Sequence, residues 1–279
     1  MPRFSGKTVI VTGSSNGIGR SAALLFALDG ANVTITGRNS ERLLETKQQI
    51  LKAGVSEKQV NSVVADLTTP QGQDEIINST VAKFGAIHVL VNNAGAAIPD
   101  SHGKTGTDQS MDTYHKTLQT NLQTVVEMTK KVKPYLIASK GEILNVSSIV
   151  AGPQAQPEFV YYAIAKAALD QYTRSTAIDL IQHGVRVNSV SPGVVATGFI
   201  NAIGLPTEAS NKFYDFLANH KECIPAGVAG RPEDIANIIL FLADRKLSSY
   251  IIGQSIVADG GSNLVMGMQT HDMMKILGM

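Results

Sequence analysis

The sequence predicts an α/β protein, in which one domain is built on a doubly wound parallel sheet of seven strands with helices on both faces. Short β-branched runs recur along the chain, and the first, Thr-Val-Ile-Val-Thr at 8–12, has the composition of a strand buried on both faces. Helical stretches separate these runs. Regular alternation of strand and helix is typical of a parallel sheet covered on both sides.

Turn and cap residues mark where the predicted elements start and stop. The first strand ends at Gly13, Gly30 stops the first helix, and Ser40 can cap the second helix. In parallel sheets of this kind, ligands bind at the carboxyl ends of the strands. We predict strands at 8–12, 32–36, 61–65, 87–92, 142–147, 185–191 and 255–258, and helices at 18–28, 40–52, 70–84, 111–137, 159–183 and 232–243.

Length and composition favour a single compact domain. The chain has 279 residues, with no linker rich in Pro, Gly or Ser, no block of like charges and no internal repeat. A hydrophobic content of 43% with 17% charged residues suits a protein with a buried core. We therefore predict one domain over 1–279.

Charge and cysteine usage exclude several classes of protein. The net charge is +1 and both signs are scattered, which argues against a nucleic-acid or membrane-surface partner. The single cysteine, Cys223, cannot form an internal disulfide, so a reducing compartment is favoured. The six histidines lack paired ligand spacing, and we predict no metal site. No apolar run could span a bilayer, and the first strand begins too early to leave room for a signal peptide. We expect a cytoplasmic protein.

A glycine-rich turn lies between the first predicted strand and the first predicted helix. It reads Thr-Gly-Ser-Ser-Asn-Gly-Ile-Gly at 12–19. The glycines permit a tight turn and let backbone amides approach a pyrophosphate at the helix N-terminus. The alternative is an ordinary strand-to-helix loop, but the position after a strand and before an apolar helix favours a dinucleotide site. The predicted contacts are Gly13, Ser14, Ser15, Asn16, Gly17, Ile18 and Gly19.

The end of the second strand discriminates between the two nicotinamide cofactors. An acidic residue there binds the ribose 2′-hydroxyl of NAD, whereas a cation accepts the 2′-phosphate of NADP. The segment at 36–39, Thr-Gly-Arg-Asn, has no acid. We predict that Arg38 binds the 2′-phosphate, with Ser14 and Asn39 as helpers, the alternative being a solvated loop arginine. This pattern favours NADP(H).

Two further turns follow strands at the same edge. The carboxylate of Asp66 could accept a hydrogen bond from the adenine amino group, and Gly95, in Asn-Asn-Ala-Gly at 92–95, would let the backbone pass close to the cofactor. Each turn alone could be a plain Asx turn. The predicted contacts here are Asp66, Leu67, Asn93, Ala94 and Gly95.

A second group of polar residues has the chemistry of proton transfer. Tyr162 and Lys166 are four apart in a helical stretch, so they share a face. Lowering a phenol pKa from about 10 to near 7 takes ~4 kcal/mol, and one ammonium about 4 Å away supplies roughly that amount. The pair could therefore transfer a proton at neutral pH. Ser148, at the end of a predicted strand, could polarise a carbonyl oxygen. For the tyrosine and lysine alone, a surface pair on a helix is the alternative.

The motifs together resemble those of the short-chain dehydrogenases/reductases, in their compact single-domain branch with a Rossmann fold. The resemblance runs from about Lys7 to Gly261. Five motifs carry it in order, namely the glycine turn at 12–19, Asn-Asn-Ala-Gly at 92–95, Asn-Val-Ser-Ser at 145–148, Tyr-x-x-x-Lys at 162–166 and Ser-Pro-Gly at 191–193. Glucose dehydrogenases and tropinone reductases are similar chains.

The resemblance implies roles for individual residues. Tyr162 would be the acid/base, Ser148 would orient the substrate, Lys166 would modify the tyrosine pKa and bind the nicotinamide ribose, and Asn121 would hold a water of the proton relay. Tyr161 and Ser147 adjoin two of these positions, but only Tyr162 has the lysine spacing, and family position favours the second serine. The remaining cofactor contacts implied are Pro192, Gly193, Val195 and Thr197, with Tyr162 and Lys166 again.

Two segments lie outside this pattern. We predict a helical substrate lid at about 194–225, rich in apolar residues, with a subunit contact as the alternative. The Met-rich stretch at about 264–279 could lie across a neighbouring subunit or form a loose tail. Relatives usually form tetramers, so the resemblance implies a homo-oligomer, either tetramer or dimer.

We expect an NADP(H)-dependent oxidoreductase that interconverts a carbonyl and a secondary alcohol, a carbonyl reductase above all. The alternatives are a sugar or polyol dehydrogenase of the glucose dehydrogenase kind, and a catalytically silent NADP(H)-binding sensor. All four catalytic positions, Asn121, Ser148, Tyr162 and Lys166, are filled, which argues against the sensor.

Overall fold

A seven-stranded parallel sheet forms the centre of the protein. The computed structural model describes residues 2–198 and 206–265. The strand order is β3-β2-β1-β4-β5-β6-β7, and every neighbouring pair is parallel. The predicted sheet is therefore confirmed. Its strands are β1 (Thr8–Val11), β2 (Asn32–Gly37), β3 (Val60–Val64), β4 (Val89–Asn92), β5 (Glu142–Val146), β6 (Arg186–Pro192) and β7 (Ser255–Ala258).

Helices cover both faces of this sheet. The order of the strands reverses between β1 and β4, where doubly wound sheets bind their ligands. The helices of the described residues are α1 (Gly17–Leu28), α2 (Ser40–Lys52), α3 (Pro70–Phe84), α4 (Met111–Leu118), α5 (Thr124–Ser139), α6 (Val160–Ile181), α7 (Thr207–Asn219), α8 (Pro232–Ala243) and α9 (Arg245–Ser248).

The core is divided by the sheet into two layers. Alternate residues of β1 point to opposite faces, so Val9 and Val11 belong to one apolar cluster and Ile10 to the other. The first cluster is completed by α1, α2 and α8, and the second by α3, α5 and α6. Burial on both faces explains why β1 reads as an unbroken apolar run instead of an alternating one.

The predicted continuous helix at 111–137 is interrupted, and this part of the prediction is wrong. A π-helical stretch at Gln119–Gln123 separates α4 from α5. The Thr124 hydroxyl donates to the Gln119 carbonyl at 2.8 Å, across the widened turn. The sequence predicts helix here because each residue suits a helix. The π turn depends instead on Asn121, whose side chain bonds to another loop.

Other differences are small or fall outside the described residues. Helix α6 and strand β4 differ from their predicted bounds by one or two residues at their ends. Part of the predicted lid is helical, since α7 lies inside it. The apolar residues 199–205 of that lid, and residues 266–279 of the C-terminal stretch, lie outside the described residues. Among residues 2–198 and 206–265, no helix is both long and apolar enough to cross a membrane.

Candidate active site

The glycine-rich turn and the turn after β4 pack directly against each other. Gly13 and Gly17 have φ of 63° and 51°, a region that glycine enters at little cost. A Cβ on Gly13 would lie 2.8 Å from the Cα of Ala94, so a side chain there would force the two turns apart. The turn therefore requires glycine for its backbone conformation and for this close approach.

Thr12 ties the two turns together, and the sequence analysis missed it. Its hydroxyl accepts the backbone N–H groups of Asn93 at 2.9 Å and Ala94 at 3.0 Å, and it donates to the Val91 carbonyl at 3.2 Å. The Asn93 side chain donates in return to the carbonyls of Thr12 and Gly13. A threonine that ends a buried strand directly before a glycine turn was the available signal.

Ser14 lies in the core, so the prediction that it helps bind a phosphate is wrong. Its side chain is fully buried. The hydroxyl donates to the Val11 carbonyl at 2.9 Å and accepts the Thr36 N–H at 2.8 Å, and the Ser14 N–H donates to the Thr36 carbonyl. Both polar groups of Ser14 therefore join β1 to β2, and Ser15 is the serine of this turn that lies beside Gly37, just before Arg38.

The end of β2 carries a cation and no acid. Arg38 is exposed directly after the strand, and no anionic side chain of the described residues lies within ion-pair distance of it. The Asn39 side-chain oxygen accepts the Arg42 N–H at 2.8 Å as the N-cap of α2. Its amide nitrogen is left to donate outwards. This arrangement suits an added phosphate.

Asp66 lies at the end of β3, on the same edge of the sheet. One carboxylate oxygen, Oδ1, accepts from the N–H and the hydroxyl of Thr68, at 2.9 and 2.7 Å. These bonds hold the pKa of Asp66 below its usual value against the effect of burial, with a smaller contribution from the charge of Arg38. The carboxylate is therefore an acceptor, and its second oxygen can meet a donor such as an adenine amino group. Leu67, the next residue, uses its carbonyl to accept from Gln73.

The N-terminus of α1 has the chemistry of an anion site. Its N-cap, Asn16, makes no side-chain capping bond, and the first turn carries no acidic residue. The first N–H groups of a helix have no partner within the helix, and they attract negative charge. The described residues thus fit a dinucleotide whose diphosphate lies over this N-terminus.

Ser148 and Tyr162 meet at the carboxyl edge of β5. Ser148 follows the strand, and Tyr162 lies in the first turn of α6. The hydroxyls of the two residues are hydrogen-bonded to each other. The neighbouring residues point elsewhere, because the Tyr161 hydroxyl donates to the Gln109 carbonyl at 3.0 Å and buried Ser147 donates to the Lys166 carbonyl at 3.4 Å. Ser148 and Tyr162 therefore differ from their neighbours, because they bond to each other while Ser147 and Tyr161 bond to backbone carbonyls.

Lys166 lies one turn further along α6, beneath this pair. Its side chain is 3% exposed, and its ammonium donates to the Val146 carbonyl at 2.8 Å. The ammonium lies 5.6 Å from the centre of the Tyr162 ring. Burial lowers the pKa of Lys166 to about 8, and the negative charge of Asp170 opposes that shift. Asp170, a further turn along, was not among the predicted site residues.

The pKa of Tyr162 does not follow the expectation drawn from its spacing to Lys166. Burial raises the pKa of Tyr162 to about 12, and the hydrogen bond from Ser148 offsets only part of this. The ammonium of Lys166 lies over the ring and bonds to a backbone carbonyl. In the protein without a ligand, Tyr162 is therefore a protonated phenol.

Asn121 is fully buried in the π turn, and its side chain makes three hydrogen bonds. Its oxygen accepts the Ala96 N–H at 3.0 Å, and its amide donates to the carbonyls of Ala96 at 2.8 Å and Thr117 at 3.0 Å. A water held by Asn121 would have to bind the backbone carbonyl or the second lone pair of the side-chain oxygen. A Cβ on Gly95 would lie 2.8 Å from Asn121 Oδ1 and 3.3 Å from Lys166 Nζ, so Gly95 lies between them.

The segment after β6, residues 193–197, packs against the turn after β7, against Gly230 and against the glycine-rich turn. Gly193 donates its N–H to the Ala258 carbonyl at 3.0 Å, and Val195 pairs with Gly230. The Thr197 side chain lies 3.1 Å from where a Cβ on Gly17 would stand. Of the predicted contacts at 192–197, Thr197 therefore lies beside the glycine-rich turn.

Comparisons with known proteins agree with this architecture. A family described as enoyl-(acyl carrier protein) reductase matches residues 13–263. The 3-oxoacyl-(acyl-carrier-protein) reductase of Thermotoga maritima is 35% identical over 260 residues, which are 93% of this chain and 98% of that protein. The meso-2,3-butanediol dehydrogenase of Serratia marcescens is 33% identical over 260 residues, which are 93% of this chain and 96% of that protein.

Solved structures show the same fold. A short-chain dehydrogenase/reductase of unknown function from Caenorhabditis elegans, solved with a cofactor, has a TM-score of 0.96 and 77% identity, covering 97% of this chain and all of that one. A glucose dehydrogenase of Caenorhabditis elegans has a TM-score of 0.82 and 58% identity, and the match covers 94% of this chain and all of that one. Because the family match and these relatives cover nearly the whole described chain, the protein belongs to the short-chain dehydrogenase/reductase family, whose members are oxidoreductases with a nicotinamide cofactor.

Proposed function

We propose that this protein is an NADP(H)-dependent oxidoreductase that interconverts a carbonyl and a secondary alcohol, working as a carbonyl reductase. One observation carries the proposal. The hydrogen-bonded hydroxyls of Ser148 and Tyr162, with the buried ammonium of Lys166 beneath them, lie at the same sheet edge as an anion-binding turn. A carbonyl oxygen could accept from both hydroxyls there.

The cofactor preference is argued from the end of β2. Arg38 is exposed and lacks an ion-pair partner among the described residues, and Ser15 lies beside Gly37, the residue before it, whereas Ser14 is buried. A planar guanidinium binds a phosphate in bidentate fashion, whereas a ribose 2′-hydroxyl is usually met by a carboxylate that this position lacks. These residues support NADP(H).

The chain contributes proton transfer and orientation. When bound, the nicotinamide cofactor supplies the hydride that a carbonyl carbon accepts, or takes it from an alcohol. Ser148 orients the oxygen, and Tyr162 gives it a proton. The raised pKa of Tyr162 keeps the phenol protonated at neutral pH, which is the form that reduction requires. Lys166 holds a positive charge beside the position of the ribose.

A sugar or polyol dehydrogenase is the second candidate. The glucose dehydrogenase of Caenorhabditis elegans shares 58% of its residues with this chain, and that likeness favours a polyhydroxylated substrate. The exposed aromatic residues of α7, Phe213 at 40% and Phe216 at 56%, favour an apolar substrate under the proposed lid. The two candidates therefore differ in what must bind beneath α7.

A substrate panel tests both candidates. Purified protein would be given ketones and aldehydes with NADPH or NADH, and sugars, polyols and secondary alcohols with NADP or NAD, while absorbance follows the cofactor. We expect turnover of apolar ketones with NADPH that is lost in Tyr162→Phe, although that variant still binds the cofactor. Turnover restricted to sugars would support the second candidate. Turnover restricted to NADH, or unaltered in Tyr162→Phe, would contradict the proposal, and cofactor binding without any turnover would indicate a sensor.

Assembly is also a proposal. We infer from the resemblance that the protein forms a homo-oligomer, a tetramer or a dimer. The fully exposed ring of Tyr250, with Leu247 at 58% and Val257 at 50% exposure, is consistent with a surface that another copy covers. Light scattering coupled to size exclusion would measure the mass, and a monomer at micromolar concentration would contradict it.

A further inference from the structure

A tyrosine on α7 reaches across to the segment after β6. The Tyr214 hydroxyl donates to the Thr197 carbonyl at 3.0 Å and accepts the Thr197 N–H at 3.4 Å. Tyr214 is 8% exposed. One phenol thus holds both backbone polar groups of a single residue, which constrains the peptide planes on either side of Thr197.

Three sets of contacts hold Thr197 in place. The residue before it, Ala196, donates its N–H to the Gly230 carbonyl at 2.8 Å, which anchors the start of the segment. Its own side chain packs against Gly17 in the glycine-rich turn. Tyr214 supplies the connection to α7. Thr197 therefore stands where the dinucleotide turn and the helix of the proposed lid meet.

Several other side chains of α7 bond within the helix or face solvent. Ser210, the second buried residue of the helix, bonds back to the Pro206 carbonyl at 3.2 Å. Phe213 and Phe216 are largely exposed, and the ion pair between Lys212 and Glu208 stays within the helix. The Tyr214 hydroxyl thus links α7 to the cofactor edge.

We propose that Tyr214 is a positioning residue for the nicotinamide half of the cofactor. By fixing the backbone of Thr197 through its N–H and its carbonyl, Tyr214 sets where the Thr197 hydroxyl stands relative to the carboxamide. This inference rests on the proposed cofactor function and on the predicted contact of Thr197. Because the same bonds dock α7, cofactor binding and docking of the helix stabilise each other.

The test compares two ligands that differ only in the nicotinamide end. Tyr214→Phe keeps the ring and its packing but removes both hydrogen bonds. Because two neutral hydrogen bonds are lost, we expect NADPH to bind about 5- to 100-fold more weakly, a change of about 1–2.8 kcal/mol. The fragment 2′-phospho-ADP-ribose lacks nicotinamide and so has no carboxamide for Thr197 to contact. It should bind the variant within about twofold of its affinity for wild type, a change below ~0.5 kcal/mol. Isothermal titration calorimetry measures both affinities.

Two further variants separate positioning from general damage. Tyr135→Phe, at a half-buried tyrosine near the C-terminal end of α5, is the matched control and should bind both ligands as wild type does. Thr197→Val removes the hydroxyl with little change of shape. If Tyr214 acts through Thr197, the variant that combines Tyr214→Phe and Thr197→Val should bind NADPH little more weakly than whichever single variant binds it less tightly.

The outcomes are distinct. Equal weakening of NADPH and the fragment by Tyr214→Phe would mean a merely structural role, and unchanged NADPH affinity would mean no role, so either result overturns the inference. Fully additive losses in the double variant would also overturn it. If wild-type protein bound neither ligand, the proposed cofactor function itself would fail. A melting temperature for each variant identifies any that does not fold.

Discussion

At the scale of single residues, the active-site pair shows where spacing is informative and where it is not. Four-residue spacing correctly places Tyr162 and Lys166 on one face of α6. It does not determine their pKa values, because burial dominates both. The phenol pKa is raised to about 12 and the ammonium pKa is lowered to about 8. Burial shifts each group toward its neutral form, but with these values Tyr162 is neutral at pH 7 while most of Lys166 keeps its charge.

The buried ammonium leads to a prediction about stability. In Lys166→Met a side chain of similar length replaces a desolvated charge, so we expect lost turnover but a higher free energy of unfolding at pH 7. The shift from 10.5 to about 8 corresponds to a gain of up to ~3 kcal/mol. Because the pKa is lowered in the folded state, the wild type gains stability as pH rises from 8 to 10.5, and the advantage of the variant should disappear over that interval.

Urea unfolding at pH 7 and at pH 10 measures this difference. Lys52→Met, at an exposed position on α2, is the control and should change little at either pH. A Lys166→Met variant that is destabilised at pH 7, or whose gain is the same at both values, would contradict the assigned cost of burial.

Arg38 carries the prediction of cofactor preference. Arg38→Asp places a carboxylate where NAD-binding relatives of this fold meet the ribose hydroxyl, and it repels a 2′-phosphate. We expect the ratio of kcat/KM for NADPH to that for NADH to fall at least ~100-fold, a change of ~2.7 kcal/mol. Arg42→Asp, one turn into α2 and also exposed, serves as the matched control. An unchanged ratio in Arg38→Asp would remove the basis for NADP(H).

At the scale of elements, the site depends on how strand ends are joined to each other. The turns after β1 and β4 are adjacent because their strands are neighbours, and Thr12 then fixes Asn93 and Ala94 by accepting both N–H groups. The π turn between α4 and α5 similarly lets Asn121 bond to Ala96. These are side-chain to backbone bonds across long sequence separations, so the neighbouring residues in the chain do not show which partner each side chain binds.

The Thr12 connection predicts a specific loss. Thr12→Val keeps the shape but leaves the N–H groups of Asn93 and Ala94 without their acceptor. Each partly buried donor left without a partner costs up to about 1–3 kcal/mol, so with two donors the free energy of unfolding should fall by about 2–6 kcal/mol, and cofactor affinity should fall with it. Thr107→Val, at an exposed threonine, is the control. Thermal melts and cofactor titration measure the two effects, and a variant as stable as wild type would show that the turns hold together without this hydroxyl.

At the scale of the whole molecule, cofactor binding should stabilise the fold, because β1, β2, β3 and β4 all contribute their ends to the proposed site. A ligand at 100 times its dissociation constant adds ~2.7 kcal/mol. We expect NADPH to raise the melting temperature by several degrees and NADH at equal concentration to raise it less. Scanning fluorimetry with both cofactors checks this, and a larger shift with NADH would contradict the assigned preference.

The alternation of strands and helices, the seven-stranded parallel sheet and the family could be predicted from the residues alone, because they depend on apolar periodicity and on motifs of close spacing. Four features needed the folded chain: Ser14 is a core residue, Asn121 lies in a π turn, burial governs the pKa of Tyr162, and Tyr214 bonds to Thr197. Each of these depends on which distant groups are brought together and on how much water is excluded. Neither quantity is encoded by the residues next to them in the chain.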